Sequence, residues 1–223
     1  LLDSSSGGNQ LFELLNGNLD AYLEKYAEGL IRFGSPVLFR LNNEMNGDWC
    51  GYNGLWMGKD TDMYKKAWIY IHDFMKERQV DNLIWVWNPN DKSYPGFKWN
   101  HCLNYFPGEA YVDVIGLTGY NTGNYYEFEK WRSFKSIYED LYNDYVRYFE
   151  YPFIVSEFGS NSVGGDKAEW IREMKESMGL FEKIRFYFWF SGVDLDQSGS
   201  PARIYKIDEN PEIIGTFKDL LEK

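Results

Sequence analysis

Basic residues are scarce: 23 Lys and Arg stand against 34 Asp and Glu, a formal net charge of −11. Nucleic acid is set aside as a partner, because phosphate binding needs a basic surface. Docking on anionic membranes is disfavoured for the same reason. Apolar runs are short, and none approaches the roughly 18 residues of a transmembrane helix. The opening LLDSSSGG has neither a basic n-region nor the apolar h-region of a signal peptide. Two histidines, His72 and His101, are too few to suggest a zinc site of His/Cys spacing. No metal or other cofactor is expected, and His72 reads as a packed helix residue. Two cysteines cannot build a disulfide framework. Cys50 and Cys102 fall in loops after neighbouring strands, so one bridge is allowed, and two free thiols are allowed as well.

Aromatic residues are abundant: 9 Trp, 18 Tyr and 16 Phe make up 19% of the 223 residues. Some belong to a core, but so many amphipathic rings point to a groove with flat, half-wet walls. Sugar rings stack well on such surfaces. The remaining composition, 44% hydrophobic and 26% charged, is that of a globular chain with a sizeable core.

Strand and helix patterns alternate along the whole chain. A helix capped by Asn18 carries Leu19, Tyr22, Leu23, Tyr26, Leu30 and Ile31 at spacings of three and four, and Gly34 and Pro36 end it. PVLFRL then reads as a strand. A helix from Asp60 or Thr61 carries Tyr64, Trp68, Ile71 and Met75, and NLIWVWN (82–88) is the next strand. YVDVIGLTGYN (111–121) is a third, followed by a helix carrying Phe128, Trp131, Phe134, Tyr138, Leu141 and Tyr145. YPFIVSEFG (151–159) is a fourth, residues 166–179 a short helix, and IRFYFWF (184–190) a fifth strand. Asn210 and Pro211 start the last helix.

This alternation, with neither linker nor repeat, belongs to parallel βαβ units, in an α/β barrel or an open doubly wound sheet. No Gly-rich phosphate loop follows any strand, which weakens the nucleotide-binding alternative. Polar residues gather at the C-terminal ends of strands: Asn43 and Glu44, Asn88, Tyr120 and Asn121, Glu157. A (β/α)8 TIM-type barrel keeps its chemistry on that rim. Five strands are counted where a closed barrel needs eight, so the first three are expected to lie outside this sequence. Residues 1–223 are expected to form one catalytic domain.

Period-two alternation puts Leu38, Arg40, Asn42 and Glu44 on one face, and Phe153, Val155 and Glu157 on one face of the fourth strand. If both faces line one mouth, two carboxylates confront each other, the arrangement that glycoside cleavage uses. Arg40 is then placed to hold the ionised partner. Trp85 and Trp87 read as core. Tyr52, Trp56 and Tyr94, in loops after strands, are candidates for outer sugar subsites. DLDQSG (194–199) begins like a calcium loop, but its twelfth position is Tyr205, so it reads as a polar turn. GSNSVGG lacks the spacing of a serine nucleophile elbow.

RLNNEMNGDW (40–49) resembles the acid/base strand of glycoside hydrolase family 26, FIVSEFGS its nucleophile strand, and YVDVIGLTGYN its strand ending in a site tyrosine. GNLDAYLEKYAEGLIRFGSPVLFR resembles the helix that leads into the acid/base strand. The resemblance implies Glu44 as general acid/base and Glu157 as nucleophile of a retaining reaction. It implies Trp49 as a sugar platform, Tyr120 as hydrogen-bond partner of the nucleophile, Trp189 as the floor of the −1 sugar and Arg40 as a support for the carboxylates. The family usually has His before the acid/base, and here Asn43 stands there. Asn-Glu is common in related barrels, where the Asn bonds the 2-hydroxyl of the −1 sugar. Asn43 can alternatively be a cap or turn residue. The resemblance implies endo-cleavage of β-1,4-mannan, and Asn43 in place of the His gives weight to β-glucan and β-xylan as alternatives. A non-catalytic carbohydrate-binding relative and a scaffold domain that binds no glycan are the rivals. The enzyme is expected to act as a monomer, secreted or at the cell surface, since its polysaccharide lies outside the cell.

Overall fold

The structure, a computed structural model, describes residues 10–222. The LLDSSSGG segment lies outside the described residues. Helix α1 (Gln10–Leu15) gave no periodic signal because it is only six residues long; it buries Leu11 and Leu14. Its presence changes the start of the next helix. Asn18 turns its amide back to the Glu13 carboxylate at 2.6 Å instead of capping that helix. Helix α2 (Asp20–Phe33) begins at Leu19 with no side-chain cap, buries Leu23, Ala27 and Leu30, and ends at the left-handed Gly34.

The described residues form two compact units, divided between Gly116 and Leu117. The first continues with β1 (Val37–Arg40), α3 (Asp62–Glu77) and β2 (Leu83–Trp87), and ends inside β3 (Val114–Asn121), which runs on into the second. β1 and β2 pair in parallel from Val37–Leu83 to Arg40–Val86, and β2 and β3 do so at Val86–Val114 and Trp87–Ile115. Trp85 and Trp87 are both buried, as expected. The Trp85 ring meets Phe39, Trp68 and His72 with centroids 5.0–5.8 Å apart, so His72 is indeed a packed residue of α3. Cys50 and Cys102 are buried free thiols, not a bridge. Burial raises the Cys50 thiol to about 11.

The second unit holds α4 (Phe134–Tyr148), β4 (Phe153–Ser160), α5 (Lys167–Ser177), β5 (Ile184–Trp189), the antiparallel hairpin β6 (Val193–Leu195) and β7 (Pro201–Ile204), and α6 (Pro211–Leu221). The expected helix through Phe128 and Trp131 starts only at Phe134. Ser133 caps it, its Oγ accepting from the Ser136 N–H at 3.1 Å. Residues 122–132 form a loop closed at its base by the Asn121 Oδ1, which accepts from the Gly123 and Arg132 N–H groups. Of DLDQSG only residues 196–199 form the expected polar turn; Asp194 and Leu195 belong to β6 of a hairpin that the sequence did not announce. Lys167, almost fully buried, anchors that region. Its ammonium donates to the carbonyls of Ile204 and Lys206 at 2.8 and 2.9 Å and pairs with Glu209. The large sheet is α/β, with strand order β1-β2-β3-β4-β5.

Candidate active site

Glu44 does not continue the alternation of β1. The strand stops at Arg40, and the backbone then passes through φ of 44° at Asn42 and 57° at Glu44, a left-handed region costly for residues other than glycine. The expectation that Arg40, Asn42 and Glu44 share one strand face is therefore corrected. The Glu44 side chain is aimed by a turn. Its N–H donates to the Asn88 carbonyl at the end of β2 (2.7 Å), and its own carbonyl accepts from Gly47 (2.8 Å). Asn42 is buried, with an Oδ1 that has no partner among the described residues, a second cost held at this turn.

The half-buried Glu44 carboxylate accepts two hydrogen bonds from this unit. Asn90 Nδ2 donates to Oε1 at 2.7 Å, and Trp49 Nε1 donates to Oε2 at 3.2 Å. A buried amide network fixes the donors. Asn46 bonds the Asn90 backbone in both directions, its Oδ1 accepting from the N–H (2.8 Å) and its Nδ2 donating to the carbonyl (3.1 Å). Asn100 donates to the Asn46 carbonyl at 2.9 Å, and Tyr105 donates to Asn100 Oδ1 at 2.5 Å. Fully satisfied networks of this kind fix a single conformation. Arg40 donates to Asn88 Oδ1 at 3.3 Å. The Asn43 carbonyl accepts from the Tyr52 hydroxyl at 2.6 Å, so Tyr52 braces the turn. Trp49 is half exposed and its ring lies 5.6 Å from that of Tyr94, which is also largely exposed. Gly47 makes room for that indole: a Cβ there would sit 2.4 Å from the Trp49 ring. Trp56 is 60% exposed and donates to the Asp48 carbonyl.

In the second unit, the strand carrying Glu157 also departs from simple alternation. Val155 pairs with Tyr187 and Phe158 with Trp189, so β4 spends three residues where β5 spends two. This is a β-bulge, a device that re-aims side chains. Phe153 meets Tyr142 of α4, and Phe158 meets Phe134 of α4 and Trp170 of α5, so both face the helices. Between them the bulge turns Ser156 and Glu157 to the other side. Ser156 contacts Thr118 Oγ1 at 3.4 Å, and Glu157 Oε1 accepts from the Tyr120 hydroxyl at 2.5 Å. Phe153 and Val155 thus do not share a face with Glu157, and the expected pattern is corrected.

The bulge also decides Trp189. As the register partner of Phe158 it takes the helix side, its ring 5.1 Å from Phe158, 5.9 Å from Trp170 and 5.6 Å from Phe217 of α6. Its indole donates to the Tyr205 carbonyl at 2.7 Å. Trp189 is a packing residue on the face opposite Glu157, which corrects its expected role as a sugar floor. The rings beside Tyr120 are Phe190 and Tyr205, at 6.1 and 4.8 Å. Neither these two nor Asn90 was among the site residues expected from the sequence.

Residues 1–181 match the profile of glycosyl hydrolase family 26. The chain belongs to this family. Among relatives, an endoglucanase H from Acetivibrio thermocellus is 28% identical over 216 residues, 94% of this chain and 23% of that protein. A mannan endo-1,4-beta-mannosidase from Bacillus subtilis is 39% identical over 119 residues, 48% of this chain and 30% of that protein. The family 26 chain thus spans less than a third of the length of either. Among solved structures, the catalytic domain of a Bacillus sp. JAMB-750 endo-beta-1,4-mannanase superposes with a TM-score of 0.71 at 18% identity. That match covers 98% of this chain and 61% of the other, and it speaks to the fold.

Proposed function

We propose that this family 26 chain is the catalytic part of a retaining, endo-acting glycoside hydrolase that cleaves a neutral β-linked polysaccharide, with β-1,4-mannan its first substrate. In this reading its five strands are the fourth to eighth of a (β/α)8 barrel and residues 1–223 belong to one catalytic domain. The 61% coverage of the mannanase neighbour is close to five βα units of eight and supports that count. The observation that carries the chemistry is the pair of built carboxylates. Glu44 follows a parallel strand and Glu157 lies within one, and each accepts hydrogen bonds from side chains, Asn90 and Trp49 for Glu44 and Tyr120 for Glu157.

Glu157 is the nucleophile. The Tyr120 hydroxyl orients the carboxylate that attacks the anomeric carbon. Glu44 is the acid/base. It protonates the departing glycosidic oxygen, then takes a proton from the water that releases the glycosyl-enzyme. Trp49, half exposed and fixed against Glu44, is the sugar platform, and Asn43 is the partner of the −1 sugar 2-hydroxyl. An amide both donates and accepts, so it serves an axial or an equatorial hydroxyl. No metal or other cofactor takes part in this scheme. The protein works as a monomer, outside the cell or on its surface, where polysaccharide is found.

A second reading is a β-glucanase of the same mechanism. It is favoured by Asn43 in place of the family's usual histidine and by the endoglucanase relative, which matches 94% of this chain. One experiment decides between the readings and tests both. The full-length protein and its Glu44→Ala and Glu157→Ala variants are assayed on β-1,4-mannan, mixed-linkage glucan and β-xylan, and the first-formed anomer is followed by proton NMR. Retention on one substrate, lost in both variants, is expected. Reducing ends released equally by all three proteins would discard the assignment.

A further inference from the structure

Loop 122–132 and the β6–β7 hairpin carry a cluster that the catalytic scheme does not use. Phe128 at the loop tip is 81% exposed, and its ring lies almost parallel to that of Tyr126, 6° between planes with centroids 5.6 Å apart. The Arg203 guanidinium stands over the Tyr126 ring at 5.1 Å. Arg203 is itself clamped, by Glu129 at 2.6–2.7 Å and by Asp194 at 3.1 Å. Glu129 also closes the loop tip, exchanging backbone and side-chain bonds with Tyr126. A second clasp joins loop to hairpin, the Tyr125 hydroxyl donating to Asp196 at 2.8 Å. An exposed ring is therefore held on a rigid mount, the preorganisation that makes a flat surface useful for binding.

The cluster is continuous with Glu157. Tyr120 bonds the carboxylate and packs its ring on Tyr205 at 4.8 Å. Arg203, inside β7 and two residues before Tyr205, reaches Tyr126. Carboxylates border the cluster: Glu129 at Tyr126, Asp194 at Arg203 and Asp196 at Tyr125. An anionic glycan is thereby repelled, and a neutral one meets an aromatic face with polar acceptors at its rim.

We propose that Tyr126 and Phe128, mounted on Arg203, form a distal subsite that stacks a remote sugar of a neutral β-linked polysaccharide whose scissile residue lies at Glu157. The inference rests on the hydrolase reading, and it makes the cleft one for long chains, with binding energy gathered several sugars from the reacting bond.

The test compares the full-length protein with Phe128→Ala and Phe128→Trp on glucomannan and on a short aryl β-glycoside that cannot reach the loop. Migration in gels cast with and without glucomannan is read in parallel. Phe128→Ala is expected to raise KM for the polymer about 3- to 10-fold, with kcat and the aryl glycoside unaffected and gel retardation weakened. Phe128→Trp is expected to stay within about twofold of the parent. Polymer KM and retardation unchanged in Phe128→Ala would overturn the subsite, and so would an equal loss on the short substrate. Retardation lost in Phe128→Ala, in a parent that hydrolyses nothing, would sustain the subsite and defeat the hydrolase reading.

Discussion

Asn90→Ala isolates one contact to Glu44, the proposed acid/base, with little collateral damage. The Asn46 side chain bonds the backbone N–H and carbonyl of Asn90, and both survive truncation. Two bonds are lost: the 2.7 Å donation to Glu44 Oε1 and the acceptance from Lys92 N at 3.1 Å. A hydrogen bond to a charged group contributes about 1.5–3 kcal/mol. Glu44 is only half buried, so the lower end applies, roughly a 10- to 30-fold fall in kcat/KM. The turn bond to Lys92 is neutral and exposed, contributing about 1 kcal/mol, hence a fall in melting temperature of about 2–4 °C. Asn90 donates to the ionised carboxylate, so its removal favours the protonated acid. The alkaline limb of the pH–rate profile should then move to higher pH. Asn90→Asp keeps the acceptor for Lys92 but faces Glu44 with a like charge, and should move that limb further. Steady-state kinetics from pH 4 to 9, with thermal melts as a control, give both readings. Turnover within twofold of the parent and an unmoved alkaline limb would refute the assignment of Asn90 as a positioning residue.

Gly47→Ala would put a methyl group 2.4 Å from the Trp49 ring, displacing the indole from Glu44. Overpacking of this kind costs about 1–3 kcal/mol; kcat/KM should fall roughly tenfold, with a shift in tryptophan fluorescence, and unchanged kinetics would show that the indole has no part in catalysis. Trp189→Ala should act on stability, because its ring packs on Phe158, Trp170 and Phe217. Chemical denaturation should register a loss of about 3 kcal/mol with an unchanged KM, whereas a raised KM at full stability would restore Trp189 to the sugar site. The Asp196 carboxyl is held down to about 2 by the Ser198 hydroxyl first, then the Ser200 N–H and the Tyr125 hydroxyl. Its contribution to the hairpin is therefore present above the ordinary value of 3.8 and lost as pH falls through about 2. Amide exchange at Ser198 and Ser200 should stay protected down to pH 3, and loss of protection near pH 4 would contradict the clasp.

What sequence reasoning reached and what it missed divide along one physical line. The five parallel strands, and the placing of the two glutamates after or within them, follow from alternation of apolar segments with turn residues, which is local information. The errors lie where one residue changes the periodicity. At Asn42 and Glu44 a left-handed backbone ends the two-residue repeat, and neither side chain is a glycine that would announce it. In β4 one extra residue reverses the faces on either side of it, so Glu157 leaves Val155 and Trp189 goes to the helices with Phe158. A bulge has no composition of its own; it is set by pairing with β5, which the β4 sequence does not contain. Asn90 was equally illegible, since its role depends on a carboxylate supplied by a different strand. The aromatic excess was legible in the sequence but not as a map. Trp189 turned out to be packing, while Phe128, assigned to a helix stripe, stands exposed because Ser133 delays that helix until the chain has closed the loop at Asn121. In both cases the backbone at a strand end decides which rings meet solvent, so bulges and loop closures govern the exposed aromatic surface more than the number of aromatic residues does.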